Sequence, residues 1–439
     1  MAMVVKNNMS ALSALNTLNT NTNALSKSLK KVSSGMKINS AADDASGYAI
    51  SEKMRVNIRS LNQANANAQN GNSMMKVAEG AVSSTVEILK TLKEKAVNAA
   101  NDTNTDADRA TIQKELDQSI DQINDNANVT FNGQYLVDGS KSSKTTATTT
   151  AMTNISMNTA TASGSALTAL KSRSGDSLNI HSSDSVTVSY VKDGATKTST
   201  VKVGSCTLNQ IVETLTDSNL KVTGAGSGAG NTSVIGIDGS GNTVYTASGE
   251  SGITISASAA GVENQIAGFT MYITDNDGNV NKSANAVLDA FDESIRAVND
   301  HATDDSIVLQ IGTKAGQSIK AGLTDMKATA LGLQGKDGST ISVGTQAKAN
   351  AAINALDSAI AKALDQQTTI GSVESRLEYT QSNLTTASEN VTAAESTIRD
   401  ADMAKEMTEY TKNNVLMQAA QSMLSQANQS SSNALSLLQ

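Results

Sequence analysis

Leu61-Asn62-Gln63-Ala64-Asn65-Ala66-Asn67-Ala68-Gln69-Asn70-Gly71-Asn72-Ser73-Met74-Met75 is polar over most of its length, yet every seventh residue is apolar. The series reaches back to Met54 and on through Val82, Leu89 and Ala96. A second series lies near the other end of the chain: Leu356, Ala363, Ile370, Leu377, Leu384, Val391 and Ile398. A seven-residue period held this long marks helices that supercoil around partner helices. Neither segment can bury its stripe alone. The two ends of the chain are therefore expected side by side, with the middle as an excursion from a helical rod. The fold class expected is mainly α: a long coiled-coil rod built from the N- and C-terminal segments, a short β-hairpin element, and an inserted β-rich (α+β) outer domain.

The periodicities place a weak helix over 1–35 and a long one over 43–100, about 85 Å at 1.5 Å per residue. Gly35 is the stop of the first. Asn39-Ser40-Ala41-Ala42-Asp43-Asp44 reads as a cap followed by first-turn acids. A second helix runs over 105–127, with Ile112, Leu116, Ile120 and Ile123 on one face, and a short strand with turns follows at Phe131–Gly139. Residues 141–165 are almost entirely Ser, Thr, Ala, Lys and Asn. Alternating Val186, Val188 and Tyr190, the Asp193-Gly194 turn and Val201-x-Val203 read as a hairpin. A short helix is expected at 207–216. Val222, Ile253-x-Ile255 and Phe269-x-Met271-x-Ile273 are further strands. Helical spacing returns at 281–298 through Ala286, Leu288, Phe291, Ile295 and Val298, and the closing helices run from 346 to 434.

Composition narrows the function. The 439 residues carry a formal charge of −8, which argues against a nucleic-acid partner. Three Phe, seven Tyr and no Trp are poor material for one large globular core, but a helical seam needs none. Proline is absent where roughly twenty would be expected at average usage, as suits long helices and rapid refolding. One cysteine, Cys206, excludes an internal disulfide framework. No apolar run is long enough for membrane insertion, and the N-terminus shows no cleavable apolar signal. The two histidines, His181 and His301, have no second His or Cys nearby, so no metal site is expected. Asp275-Asn276-Asp277-Gly278-Asn279 opens like a calcium loop, but its sixth position is Val280 and no Glu closes it; it reads as a turn. No catalytic constellation and no cofactor motif is present, and no enzyme is expected.

The outermost segments are amphipathic but too weak to be helical alone. The first presents Leu12, Leu15, Leu18, Leu25, Leu29 and Val32 in a Ser/Thr/Asn background. The last presents Met403, Met407, Met417, Leu424, Leu435 and Leu438 in a Gln/Asn/Ser background. Such ends order best where several copies pack together, and methionine adapts to non-identical neighbours. The rod seam expected between them uses Met54, Leu61, Met75, Val82 and Leu89 on one helix. Leu356, Ile370, Leu377, Leu384, Val391 and Ile398 face them on the other. A bundle closed within one chain, with no assembly role, is the competing reading of the stripes.

The segment from Asn39 to Arg55, with Ala78-Glu79-Gly80-Ala81 and Phe131-Asn132-Gly133, resembles the signature of bacterial flagellins. So do Arg399-Asp400-Ala401-Asp402-Met403-Ala404, Ser425-Gln426-Ala427-Asn428 and Leu435-Ser436-Leu437-Leu438. The resemblance covers about 1–140 and 300–439 and implies the following. Residues 1–42 and 400–439 form the inner tube of a helical homopolymer, the flagellar filament. Residues 43–140 and 300–399 form the surrounding rod layer, and 141–299 form the variable, surface-exposed outer domain. The subunit is extracellular, exported unfolded by flagellar type III secretion. Its partners are a chaperone at the C-terminal helices, the filament cap and hook-associated proteins. Toll-like receptor 5 senses the family through a pattern Leu-Gln-Arg-Val-Arg-Glu-Leu-Ala-Val on the first rod helix. Here it reads Leu89-Lys90-Thr91-Leu92-Lys93-Glu94-Lys95-Ala96-Val97. The resemblance maps the receptor surface onto Leu89, Lys90, Thr91, Glu94, Lys95, Asn98 and Glu115. Threonine in place of the first arginine and lysine in place of the second leucine imply weakened activation. A hook–filament junction protein, or an adhesin carried in the outer domain, is the alternative function.

Overall fold

The computed structural model describes residues 8–143, 149–215, 220–223, 234–237, 243–245, 251–293 and 303–436. They form two compact units. The first comprises Met1–Asn67, Ile311–Gln317 and Thr380–Gln439; the second comprises Ala68–Gln310 and Ser318–Tyr379.

The first unit begins with α1 (Met9–Ser34), which starts where the Asn8 side chain accepts from the Ala11 N–H and stops at Gly35, in the left-handed conformation at φ 69°. It ends with α8 (Met403–Ser436), started by Asp402, whose carboxylate accepts from the Ala404 N–H at 3.0 Å. The two run antiparallel. Asn8 Nδ2 donates to Ala427 O, Asn21 Nδ2 to Leu416 O and Asn413 Nδ2 to Ser28 Oγ, and Lys31 pairs with Glu406 at 3.2 Å. The first part of α2 (Ala45–Ala99) and the last part of α7 (Gln346–Arg399) complete the unit. Arg55 Nε donates to Glu395 at 2.9 Å and Ser388 Oγ to Asn62 Oδ1 at 2.9 Å, one heptad on each helix. Leu61, Ala64 and Leu384 bury one another there, with Val391 and Ala387 against them. Met54 and Ile398, nearer the helix ends, are half-buried.

In the second unit the α2 stripe Ala68, Met75, Val82, Leu89 and Ala96 is fully buried, as is the α7 stripe Leu356, Ala363, Ile370 and Leu377. Lys93 pairs with Asp357 across them at 2.5 Å. Helix α3 (Asp106–Ala127) opens on a capping box between Thr105 and Asp108 and buries Leu116, Ile120 and Ile123. Its Arg109 donates back to Ala99 O and Asn101 O, satisfying the carbonyls that the end of α2 leaves open. The strands β1 (Thr130–Phe131) and β2 (Gln134–Tyr135) form a hairpin on Asn132-Gly133, both at positive φ.

Between the helices lie two antiparallel sheets. β4 (Ser185–Lys192) is central in a three-stranded sheet, between β5 (Ala195–Lys202) and β10 (Ile266–Thr274). Val186, Val188 and Tyr190 are fully buried, as are Phe269, Met271 and Ile273 to within 1% exposure. The other sheet has four strands. β3 (Ala151–Asn154) and β9 (Ile253–Ala257) are its centre, and β6 (Leu220–Thr223) and β11 (Asp292–Glu293) its edges. Hairpins β7–β8 (Val234–Ile237, Thr243–Tyr245) and β12–β13 (Ile307–Gln310, Ser318–Ala321), helices α4 (Leu208–Glu213), α5 (Lys282–Leu288) and α6 (Ala328–Leu331), and the 3-10 turns Leu167–Ala169 and Val262–Asn264 complete the described elements.

Two expectations fail. The helix expected over 281–298 stops at Leu288. Phe291 leaves it to meet Phe269 edge-on, ring centroids 4.8 Å apart, and Asp292 and Glu293 then pair with Thr153 and Met152. Long-range pairing overrides the local pattern; Ile295, Val298 and His301 lie outside the described residues. Asp43 and Asp44 are not first-turn acids either, since α2 begins after them at Ala45.

Candidate functional site

The two stretches that carry the family resemblance, about 350 residues apart in sequence, meet in the first unit. Lys37 N–H donates to Arg399 O at 2.8 Å and Ala401 N–H to Gly35 O at 2.9 Å, a short antiparallel bridge between the end of α1 and the start of α8. The Lys37 ammonium donates to Thr397 O at 2.7 Å. Arg399 is the centre of this knot and is 5% exposed. It donates to Glu52 at 2.6 Å and to Ser51 Oγ at 3.3 Å, and lies 5.3 Å over the Tyr48 ring. That hydrogen bond holds the Glu52 carboxyl below its ordinary range.

The loop leading into α2 is built around two acids. Asp43 accepts from the backbone N–H groups of Asn39 and Ser40 at 3.1 and 3.0 Å and from Ser40 Oγ at 3.0 Å. Burial works to raise this carboxyl, but those donors outweigh it and hold it low. Asp44 accepts from the Ser46 N–H at 3.0 Å, the N-cap arrangement. A side chain at Gly47 would collide with the Asp44 carboxylate and lie 2.7 Å from Ile38 Cδ1, and Ile38 is buried under the loop. The first motif thus makes a tight helix start, and the second supplies the arginine that locks it.

The terminal pair covers only part of its apolar surface. On α1, Leu18, Leu25 and Val32 are half-buried, whereas Leu12, Leu15 and Leu29 are exposed at 51%, 42% and 51%. On α8, Met417 and Leu424 are half-buried, and Met403 and Met407 are exposed. Sequence reading missed Met9, Val415, Leu416 and Met423, which are exposed as well. No single stripe signals them: the exposed apolar residues are spread around each helix, and one helix face was expected to hold them all. Met407, Thr408, Thr411, Lys412, Val415 and Leu416 line an open groove of about 600 Å³ on α8. Nothing is described of the Leu435 side chain, and Leu438 lies outside the described residues.

On the rod, Lys90, Thr91, Glu94 and Asn98 are exposed, and Lys95 pairs with Glu115 at 2.9 Å. Leu89 is fully buried, so it belongs to the helical seam and not to a receptor surface, a correction to the mapping above. Among the described residues no cluster could hold a metal ion, and no helix is long and apolar enough to cross a membrane.

Residues 5–142 match the bacterial flagellin N-terminal helical region and 353–438 the C-terminal helical region. A flagellin of Clostridium tyrobutyricum is 36% identical over 428 residues, covering 97% of this chain and 99% of the relative. This chain belongs to the bacterial flagellin family. A flagellin of Bacillus subtilis is 30% identical over 456 residues, covering 99% of this chain and all of the relative. A flagellar filament 33 kDa core protein of Treponema phagedenis is 28% identical over 438 residues. Among solved structures, FliC from Burkholderia pseudomallei covers 70% of this chain and 99% of its own at 17% identity and a TM-score of 0.25. A flagellar junction protein from Legionella pneumophila covers 80% and 99% at 13% identity and 0.32. Flagellin is a structural protein, and this one is a subunit of the flagellar filament, not an enzyme.

The loop packing predicts that Gly47→Ala destabilises the folded monomer by about 1–2 kcal/mol, because the methyl group must displace the capping carboxylate. In an Asp44→Ala background, with that carboxylate gone, the same change should cost clearly less. Thermal unfolding of the four proteins measures this. Equal costs in both backgrounds would mean that Gly47 does not act through the cap.

Proposed function

We propose that this flagellin polymerises by docking the outward faces of α1 and α8 onto identical copies. Residues 1–42 and 400–439 are then the inner tube, 43–140 and 300–399 the rod layer, and 141–299 the outer domain. The observation that carries the reading is the set of large apolar side chains that the pairing of α1 with α8 leaves exposed. Leu12, Leu15 and Leu29 on α1, with Met407, Val415, Leu416 and Met423 on α8, remain in water after the two helices have paired. Fully burying one such side chain stabilises by about 1.5–3 kcal/mol, enough in aggregate to offset the ordering of a weak helix pair. The same weakness suits a chain that leaves the cell unfolded by flagellar type III secretion. It also suits capture of α8 by an export chaperone before the chain assembles outside the cell under the filament cap, on a base of hook-associated proteins.

Replacing Leu12 and Leu15, or Met407 and Leu416, by Glu should leave the monomer folded and abolish elongation of purified filament seeds, followed by light scattering and electron microscopy. Elongation at the wild-type rate by both variants would overturn the proposal.

Recognition by Toll-like receptor 5 is a weaker property of this chain in the same reading. Thr91 offers no guanidinium, and Lys95 spends its charge on Glu115. Thr91→Arg/Lys95→Leu should raise potency in receptor-bearing reporter cells about tenfold or more, the worth of 1–3 kcal/mol at a hot spot. Unchanged potency would remove these two positions from the account.

A further inference from the structure

The three-stranded sheet rests on α7 through a face of small side chains. Ala351, Ala352, Ala355 and Ala359 are all fully buried. Gly268 of β10, at φ 61°, lies so close that a side chain there would strike the backbone of Ala351 and Ala355. Asn354 Nδ2 adds one long hydrogen bond, 3.5 Å, to Phe269 O. Alanines present no knobs for holes to grip, so away from the Gly268 contact such a surface holds a sheet closely while specifying little about its register.

Three residues beyond Ala359, in the same buried surface, stands Lys362, 4% exposed. Its ammonium lies 3.3 Å from the carboxylate of Glu293, at the edge of the four-stranded sheet; the two side chains are 3% and 7% exposed. Gln265, just before β10, turns its side-chain oxygen to the same ammonium and its nitrogen to Ala330 O at 3.2 Å, the amide orientation that satisfies both neighbours. One turn along α7, Gln366 accepts from Thr324 N at 3.1 Å and from Thr324 Oγ1 at 2.7 Å. Neither Glu293 oxygen has a hydrogen bond among the described residues, so the Lys362 charge is its compensation.

We propose that Lys362, with Glu293 of the four-stranded sheet and Gln265 at the start of β10, is a register lock: one buried ammonium ties both sheets to a single seating on α7. A buried ion pair adds little net stability compared with apolar residues of the same volume, but an uncompensated partner is costly, so misregistered seatings are penalised strongly. The lock draws Lys362 from the returning helix and Glu293 from the end of the middle segment. The outer sheet therefore takes its final place only once α7 has formed.

The test uses the full-length monomer with Cys206→Ser, spin-labelled at Ala361→Cys on α7 and Ser183→Cys beside β4, both exposed. Pulsed electron resonance reads the distance distribution, and thermal unfolding the stability. Wild-type pairing should give one narrow distance. Lys362→Met and Glu293→Gln alone should lower the melting temperature. The compensated double variant Lys362→Met/Glu293→Leu should recover wild-type stability, yet show a distribution broadened about twofold or split. A double variant that is stable and keeps the narrow wild-type distance would overturn the proposal. So would single variants as stable as wild type.

Discussion

An apolar stripe repeated over forty residues has to be covered, and a lone helix has no means of covering it. In this chain the cover is the chain's own far end. In the first unit Arg55 meets Glu395 and Asn62 meets Ser388. In the second, Lys93 meets Asp357 above fully buried Met75, Val82, Leu89, Ile370 and Leu377. Everything between the two long helices is consequently an insertion that must leave the helical pair and return to it. The Arg399 knot is the same constraint at the other end of the pair: a residue of α7 closes the start of α2.

The constraint also separates what is satisfied within one subunit from what is not. Along α2 and α7 the seam positions are buried without help, apart from the half-buried Met54, Val391 and Ile398. Along α1 and α8 some apolar residues find the partner helix and the larger share is left in water. A filament subunit needs this division, since a molecule with every stripe covered would have no reason to polymerise, and one with none covered would not keep a defined shape. The outer sheets, seated on the alanine face, the Lys362–Glu293 pair and the 335–342 segment that bonds Asp193 and Thr196, can vary in their solvent-facing residues without disturbing either stripe.

The sequence made the helical seam legible because a heptad pattern is local and redundant: losing Ala68 or Ala96 from the list would not have hidden it. The hairpin at Asp193-Gly194 was equally plain, since both residues take positive φ. Non-local facts escaped. Phe291 carries helical spacing, but its ring goes to Phe269, a contact no window of the sequence contains. Leu89 matches a surface motif and a core stripe at once, and only its burial separates them. Arg399 and Glu52 sit in recognisable motifs, yet that they hold one another follows only once α2 and α7 are antiparallel. Lys362 looks like an ordinary surface lysine until Glu293 arrives beside it.

The antiparallel register of α2 and α7 within a single chain is the claim most directly open to measurement. In a Cys206→Ser background, Asn62→Cys and Ser388→Cys place two thiols where the native side chains touch at 2.9 Å. Mild oxidation of the dilute monomer should yield an internal disulfide, seen as a faster-migrating single chain on a non-reducing gel, with no dimer. Free thiols alone, or cross-links only between chains, would contradict the account.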